Sequence, residues 1–300
     1  MSEGRCHAIT GPMPIFSYLI PLAFVVLWST GFIGAKWGLP YIEPLHFLAL
    51  RFAIVVAILA LVAALFRLPW PERAQWLHLG VTGVLLHSLY LGAAFVGIAW
   101  GIEAGASSLM AALQPLVMAL FVILVLGETL GKLQWLGIAL GIIGVALVLN
   151  NRLNLGFGTM AGVWASLVMP LASAAALIYQ KRFVPQFPLF TGSLIQFAAA
   201  LVLTGIAALI FEQGTIQWNG QLAFALGWLV LVLSIGAITL LHLLVRANAA
   251  AQVGSLFFLV PVSTAIIAWP LFGEQLGLVA IVGFVVTIAG VLMVHRGQAK

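Results

Sequence analysis

A stretch of 45 residues occurs twice in this chain, at a fixed spacing of 146 residues and without gaps. The first copy covers 104–148 and the second covers 250–294, and thirteen of the 45 positions are identical. The identities include the prolines Pro115 and Pro261 and a Gly-Glu pair in each copy. A constant offset over this length is what a duplicated unit leaves in a sequence. The chain is therefore expected to fold as two related halves.

The composition indicates that both halves lie in a bilayer. Hydrophobic residues make up 64% of the 300 residues and charged residues only 6%, whereas a soluble domain carries about 25% charged residues. One crossing of the hydrocarbon needs about 20 mostly apolar residues. We predict an all-α polytopic membrane protein with ten transmembrane helices. The predicted spans are 16–37, 44–66, 76–98, 104–126, 132–150, 158–180, 189–211, 222–244, 250–272 and 277–295.

The positions of the basic residues predict the topology. We expect two five-helix repeats, 15–150 and 158–295, between cytoplasmic tails at 1–14 and 296–300. With both termini in the cytoplasm, nine Lys or Arg residues lie inside and two outside, in agreement with the positive-inside rule. Because each repeat has an odd number of spans, the second repeat is inverted relative to the first. Inverted repeats around a central cavity are typical of secondary transporters.

Several motifs follow one another in an order that resembles a known family. They are Leu27-Trp28-Ser29-Thr30-Gly31, Lys36, Pro44, Arg51, Pro115, Gly127-Glu128 and the glycine-rich fifth span. With them the chain resembles the EamA-type permeases of the drug/metabolite transporter superfamily over nearly its whole length. The resemblance implies an inner-membrane permease for small metabolites, often an exporter of amino acids or related compounds. The second half departs from the pattern early. Lys36 has a counterpart in Lys181, but the position equivalent to Arg51 falls near Ile195 and Gln196, so only the first half carries this arginine.

Pro115 and Pro261 are expected to interrupt the fourth and ninth helices. Proline removes one intrahelical hydrogen bond and collides with the carbonyl four residues earlier. Broken backbone at membrane depth is tolerated only where it is buried in protein or lines a wet cavity. We therefore expect these spans beside the solute pathway, with Gln114 lining it from one half and Gln252 and Ser255 from the other. The alternative is that both prolines are packing kinks.

Four charged residues are expected at helix ends, where they would act as structural caps or gates. Glu128 and Glu274 follow glycine at the ends of the fourth and ninth spans, on opposite faces of the predicted topology. Each would cap the following helix or pair with a neighbouring cation such as Lys132. Lys36 and Lys181 end the first and sixth spans. We favour the structural or gating role over proton carriage.

Arg51 and His87 are the ionisable residues predicted to lie deepest in the membrane. The Arg51 guanidinium either holds a carboxylate of the solute or clamps backbone carbonyls and reaches toward the surface. His87 either relays a coupling proton or is a neutral hydrogen-bonding residue. The sequence leaves both alternatives open.

Aromatic and glycine residues complete the candidate set. Trp28, Tyr90, Trp100 and Trp164 are expected to supply aromatic surface to the cavity, against ordinary packing or interface roles. The fifth and tenth spans carry glycines at small-xxx-small spacing, which favours close helix contact within one chain or between two, so a homodimer is an open alternative. These glycines are Gly137, Gly141, Gly144, Gly283 and Gly290.

Together these features favour an alternating-access transporter of small solutes in the inner membrane. The partners expected are the solute, membrane lipid and, as an open alternative, a coupling proton, with no nucleic acid, metal or cofactor. We do not expect an enzyme, since clustered carboxylates and a phosphate-binding glycine loop are missing from the sequence. The alternatives are a non-transporting scaffold, a channel, and least of all an intramembrane hydrolase that pairs His87 with Ser107 or Ser108.

Overall fold

A computed structural model describes residues 16–117, 120–121, 131–154, 159–238, 240, 259–274 and 277–298. The regular elements in these residues are all helical. They are α1 Phe16–Gly38, α2 Pro44–Leu65, α3 Arg73–Ala99, α4 Ala104–Ala111, α5 Lys132–Asn154, α6 Met160–Phe183, α7 Leu189–Phe211, α8 Gly220–Ala237, α9 Val260–Phe272 and α10 Leu278–Gln298, with a short 3-10 helix at Leu39–Tyr41. The predicted all-α class is therefore confirmed.

Six of these helices are long and apolar enough to cross a membrane, and four apolar helices are shorter within the described residues. The long ones are α1, α2, α3, α6, α7 and α8. A helix is the natural form of such segments, because hydrocarbon offers no partner for backbone N–H and C=O groups and the helix satisfies them internally. The shorter apolar stretches are Ala104–Val117, which covers α4 and the segment after it, Lys132–Val148 within α5, Val260–Phe272, which is α9, and Leu278–Val294 within α10.

The two prolines predicted to interrupt helices lie at equivalent positions of the repeats. Helix α4 ends at Ala111, and a turn at 112–113 precedes a further helical segment at 114–117 that contains Pro115. The N–H of Leu113 donates to the carbonyl of Met110 at 3.1 Å, which tightens this turn. In the second repeat, α9 begins at Val260 and Pro261 occupies its first turn. Proline is tolerated there because its missing N–H would have had no intrahelical acceptor.

Helices α3 and α8 each contain a π-helical segment. These segments are Val84–Leu91 and Trp228–Ala237. The repeat offset of 146 residues carries 84–91 onto 230–237, so the irregularity is duplicated along with the sequence. A π-helical segment is rare and frequently occurs at a functional site. The sequence alone did not indicate it.

Each contact between a helix of the first repeat and one of the second is matched by a contact between the two equivalent helices with the repeats exchanged. Helix α1 packs against α9 and α8, and the equivalent helix α6 packs against α4 and α3. Helix α2 packs against α8, and its equivalent α7 packs against α3. The pairs α2–α7, α4–α9 and α5–α10 each join a helix to its own counterpart. An exchange of this kind is what a pseudo-two-fold relation between the repeats produces.

The glycines of α5 and α10 let these two helices approach closely. A Cβ added to Gly137 would lie 2.5 Å from the carbonyl oxygen of Gly290, and one added to Gly283 would lie 2.7 Å from that of Gly144. Small residues at such a crossing allow backbone-to-backbone contact. Of the two packings predicted for this glycine series, the structure contains the one within a single chain.

Candidate functional site

Four buried polar side chains from four helices form a cluster between the repeats, which we call the central cluster. It consists of Arg51 from α2, His87 from α3, Gln196 from α7 and Ser234 from α8. Each of the four is 5% exposed. Helices α2 and α3 belong to the first repeat, and α7 and α8 belong to the second. Two of the members, His87 and Ser234, lie in the π-helical segments, and such segments frequently occur at functional sites.

Arg51 bridges the two repeats through Ser234. Its Nε and Nη2 groups donate to the Ser234 hydroxyl oxygen at 3.2 and 3.0 Å. Ser234 is the repeat counterpart of Ser88, which accepts from the Thr204 hydroxyl at 3.0 Å and donates to a carbonyl at 3.2 Å. The duplicated serine therefore bonds to the opposite repeat in both halves. Only the first repeat supplies a charge to this arrangement.

Aromatic rings pack beside the central cluster. The ring of His87 stacks on Phe197, with centroids 4.0 Å apart and planes 15° apart. Phe52 lies 5.7 Å from Phe197 and 6.2 Å from His87, measured between ring centroids. Helix α3 reaches this position because Gly83 has no Cβ, and an added Cβ would meet the backbone of Gln196. The cluster is thus a polar centre with an aromatic flank.

A second group of contacts closes one end of the bundle, and we call it the end cluster. The Nζ of Lys36, at the end of α1, lies 2.5 Å from Oε1 of Glu274, which follows α9. The Glu274 carboxylate also accepts from the N–H groups of Ala104 and Gly105 at 3.0 and 3.2 Å. Glu274 is 5% exposed. A carboxylate at a helix N-terminus is favoured by the helix dipole and by the unpaired N–H groups there.

The partners of Glu274 differ from those expected for a residue that caps the next helix. Glu274 caps α4 of the other repeat, and its cation is Lys36 from far along the chain. Gly273 makes this reach possible, because its φ of 67° ends α9 in the left-handed conformation. Lys36 and Glu274 were each predicted as helix-end or gate residues, and the structure brings them into contact, a pairing that the sequence did not predict.

One group of His and carboxylate ligands occurs in the described residues, formed by Glu43, His46 and Glu212, with ligand atoms within 4.8 Å of one another. Glu212 accepts from the backbone N–H groups of Leu45 and His46 at 2.7 and 2.8 Å, and its Oε2 lies 2.8 Å from His46 Nδ1. Glu43 accepts from the N–H of Gly214 at 2.5 Å. Since Glu212 binds donors at the start of α2 and Glu43 binds a donor just after the end of α7, we interpret the group as a clamp between these two helices.

The remaining predicted cavity residues have different positions. Trp28 and Tyr90 are half-buried and lie beside each other, Trp28 also packing on Phe24 with centroids 5.3 Å apart. Gln114 is half-buried next to the α4 break. Trp100 and Trp164 are 51% and 64% exposed and stand apart from the central cluster.

Some of the predicted residues cannot be compared with the structure. Gln252, Ser255 and Glu128 lie outside the described residues. Lys181 is described and is exposed near the end of α6.

Two members of the central cluster, Gln196 and Ser234, are not among the site residues predicted from the sequence. The repeat offset contained the signal, because Ser234 lies 146 residues after Ser88 and Gln196 lies 145 residues after Arg51. The hydrolase alternative required His87 to meet Ser107 or Ser108. Ser108 instead donates to the carbonyl of Gly105 at 2.7 Å, and neither serine hydrogen-bonds to His87.

Comparison with known proteins places the chain among transporters. It is 26% identical to the uncharacterized inner membrane transporter YedA of Escherichia coli K12, over 95% of this chain and 92% of that protein. It is 28% identical to a "probable amino-acid metabolite efflux pump" of Salmonella typhimurium, over 90% and 92%. A solved crystal structure aligns with a TM-score of 0.61 at 19% identity, over 93% of this chain and 96% of that one, which supports the fold. The model of the EamA-like transporter family matches residues 15–150 and 160–296, so the chain belongs to this family and not to a family of enzymes.

Proposed function

We propose that this protein is an inner-membrane secondary transporter that exports small metabolites, amino acids or related compounds. In this proposal the repeats are inverted five-helix units, and they rock about a solute site between them. The observation that carries the proposal is the central cluster, in which Arg51 and His87 come from one repeat and Gln196 and Ser234 from the other. Buried polar groups at membrane depth mark solute pathways.

Contacts at the helix ends support the inverted arrangement. The ends of α1 and α9 meet through Lys36 and Glu274, so these two helices run in the same direction. Helix α1 is the first helix of its repeat and α9 the fourth of its own. If successive helices alternate in direction, the first helices of the two repeats point in opposite directions. The clamp between the start of α2 and the end of α7 supports the same arrangement independently.

The end cluster supports a gate at the membrane face where the C-terminal ends of α1 and α9 lie. Opening that face would separate Lys36 from Glu274, and Glu274 from the start of α4. The repeat offsets carry Lys36 to Lys181 and Glu274 to Glu128. On the sequence pattern we therefore propose that this second pair serves the opposite face in the other half of the transport cycle.

Cysteine labelling tests the inverted arrangement. In a Cys6→Ser background, Glu72→Cys and Thr215→Cys place single thiols in the exposed α2–α3 and α7–α8 connections, which are equivalent in the two repeats. Inverted repeats predict that a membrane-impermeant maleimide added to intact cells labels position 215 only. Labelling of both or neither in intact cells, with both labelled after lysis, would contradict the arrangement.

Counterflow in proteoliposomes tests transport. Vesicles loaded with a mixture of unlabelled L-amino acids should accumulate at least one labelled L-amino acid from outside. Vesicles that contain buffer without amino acids should not. The same measurement with and without a pH gradient reports proton coupling. Failure to accumulate any amino acid or related metabolite in the panel, with protein verified as folded by its melting temperature, would reject the proposed function.

A further inference from the structure

Arg51 is a buried cation with more donors than partners. It is 5% exposed, and its hydrogen bonds within the described residues run from Nε and Nη2 to a single acceptor, the hydroxyl oxygen of Ser234. A guanidinium has five N–H donors. In the part of the chain that the structure describes, Arg51 forms no ion pair with a carboxylate. A buried charge without a counter-charge is unfavourable, so this position favours a bound anion.

The hydrogen bonds of Arg51 distinguish between its two predicted roles, binding of a solute carboxylate and clamping of backbone carbonyls. A structural clamp would donate to backbone carbonyls and extend its head toward the surface. Within the described residues, no carbonyl oxygen accepts from Arg51, and the side chain is buried at the contact between α2 and α8. The donors are thus left for a ligand.

Gln196 provides an independent second observation. Its side-chain Nε2 is buried and has no hydrogen-bond partner among the described residues. A buried amide donor without an acceptor is costly, and such groups are usually paired in native structures. The Gln196 side chain also hydrogen-bonds to His87, and His87 lies near the Arg51 guanidinium, so Nε2 is the atom of Gln196 that lacks a partner. Among the described residues, the central cluster therefore contains donors without a hydrogen-bond partner on both repeats.

We propose that the central cluster binds a carboxylate group of the transported solute. The carboxylate accepts from the free N–H groups of Arg51 and from the Gln196 amide, while Ser234 fixes the guanidinium. A planar guanidinium and a carboxylate match in geometry and can form two parallel bonds. The Phe52, Phe197 and His87 rings lie against the non-polar part of the solute. This inference rests on the proposed transport function and names its substrate class.

The chemistry also indicates how solute binding is linked to occlusion. When no solute is bound, movement of the two repeats toward each other buries the Arg51 guanidinium without a counter-charge. With a carboxylate bound, the same closure buries a neutral, hydrogen-bonded pair, which is less unfavourable. The loaded protein is therefore expected to occlude more readily than the empty one, because the solute binds the occluded state better.

The experiment compares matched solutes and matched variants in the counterflow assay. Accumulation of labelled L-amino acids is competed with each unlabelled L-amino acid and with its primary amide, which lacks the anionic group. The variants are Arg51→Gln, Arg51→Lys and Gln196→Leu, with Arg182→Gln as the control because Arg182 is an exposed cation at the end of α6. Melting temperatures in detergent verify that each variant folds.

We expect the acids to compete and the amides to fail. Arg51→Gln should lower the apparent affinity for the acid on the order of 100-fold, because the buried charge pair is lost. Arg51→Lys should lower it about 10-fold, since the charge remains but the fork geometry is lost. Gln196→Leu should lower it about 10-fold. Arg182→Gln should behave as the wild type.

The outcomes separate this inference from the proposed function. Equal competition by acids and amides in the wild type, or unchanged affinity in a folded Arg51→Gln variant, would overturn the carboxylate site while transport stands. If Arg51→Gln fails to fold, the wild-type acid and amide comparison and the Arg51→Lys variant decide the question. If nothing is transported by the folded wild type, the transport function is rejected and the inference with it.

Discussion

Lys36 and Glu274 are 238 residues apart in the chain, and their Nζ and Oε1 atoms are 2.5 Å apart in the structure. The contact joins the last turn of α1 to the residue that follows the left-handed end of α9. Glu274 is at the same time bonded to the first N–H groups of α4. One carboxylate thereby connects three helices from both repeats at one end of the bundle.

Removing Glu274 should cost more stability than removing Lys36. Glu274→Ala leaves the Ala104 and Gly105 N–H groups and the Lys36 ammonium without an acceptor, and we expect it to lower the free energy of unfolding by about 2–4 kcal/mol. Lys36→Met keeps the helix cap and should cost about 1 kcal/mol, because Lys36 is 27% exposed. Thermal unfolding in detergent measures both.

The double exchange Lys36→Glu with Glu274→Lys provides the control for this prediction. It preserves the charge pair but places an ammonium at the start of α4, against the helix dipole. It should therefore be less stable than Lys36→Met alone. Recovery to wild-type stability would show that the cap on α4 contributes little.

Adding a methyl group at the α5–α10 crossing should destabilise the protein. The Cβ of a Gly137→Ala variant would lie 2.5 Å from the carbonyl oxygen of Gly290, and overpacking of this kind costs about 1–3 kcal/mol. Gly205→Ala on α7 is the matched control, because nothing lies within 4 Å of its added Cβ. A lower melting temperature for the first variant only is the expected result. Equal melting temperatures would mean that the two helices separate without cost.

Glu212 is expected to act as a helix clamp and not as a metal ligand. Glu212→Ala removes the acceptor for Leu45 and His46 at the start of α2 and should cost about 1–2 kcal/mol. Glu72→Ala is the control, because Glu72 precedes α3 without a side-chain cap bond. Treatment with EDTA should leave the melting temperature of the wild type unchanged. A drop on chelation that zinc reverses would instead assign a metal to Glu43, His46 and Glu212.

Replacing His87 should leave the pH dependence of transport unaltered. The imidazole stacks on Phe197 at 4.0 Å. Proton relays in membranes use chains of ionisable groups, and the described residues show no carboxylate paired with His87. We expect His87→Gln to reduce the transport rate through poorer packing while the pH profile keeps its shape. A flattened profile in a folded variant would establish His87 as the coupling residue.

Local features of the sequence predicted the helices and several of their special positions. Long runs of Leu, Ala, Ile and Val gave the helices, since hydrocarbon requires the backbone to bond within its own segment. The break near Pro115 follows from the missing N–H of proline, and the glycines of the fifth and tenth spans predicted a close contact. These properties depend on neighbours along the chain or on a fixed helical period.

The partners of the buried polar groups were not predictable in this way. Glu274 was expected to cap the helix after it or to pair with a neighbouring cation such as Lys132, and it instead caps α4 and pairs with Lys36. Gln196 and Ser234 were overlooked, although the repeat offset relates them to Arg51 and Ser88. The duplicated π-helical segments were also missed, because their apolar residues suit an α-helix equally well.

The sequence by itself determined that this chain is helical, apolar enough for a bilayer and duplicated, because each of these properties is written in composition, run length or a constant offset. Only the tertiary structure decided that Lys36 meets Glu274 and that Arg51 meets Ser234. Those contacts join residues that are 238 and 183 positions apart. Which side chains face each other across two helices depends on how the helices are rotated and how closely their small residues let them approach, and no single segment contains that information.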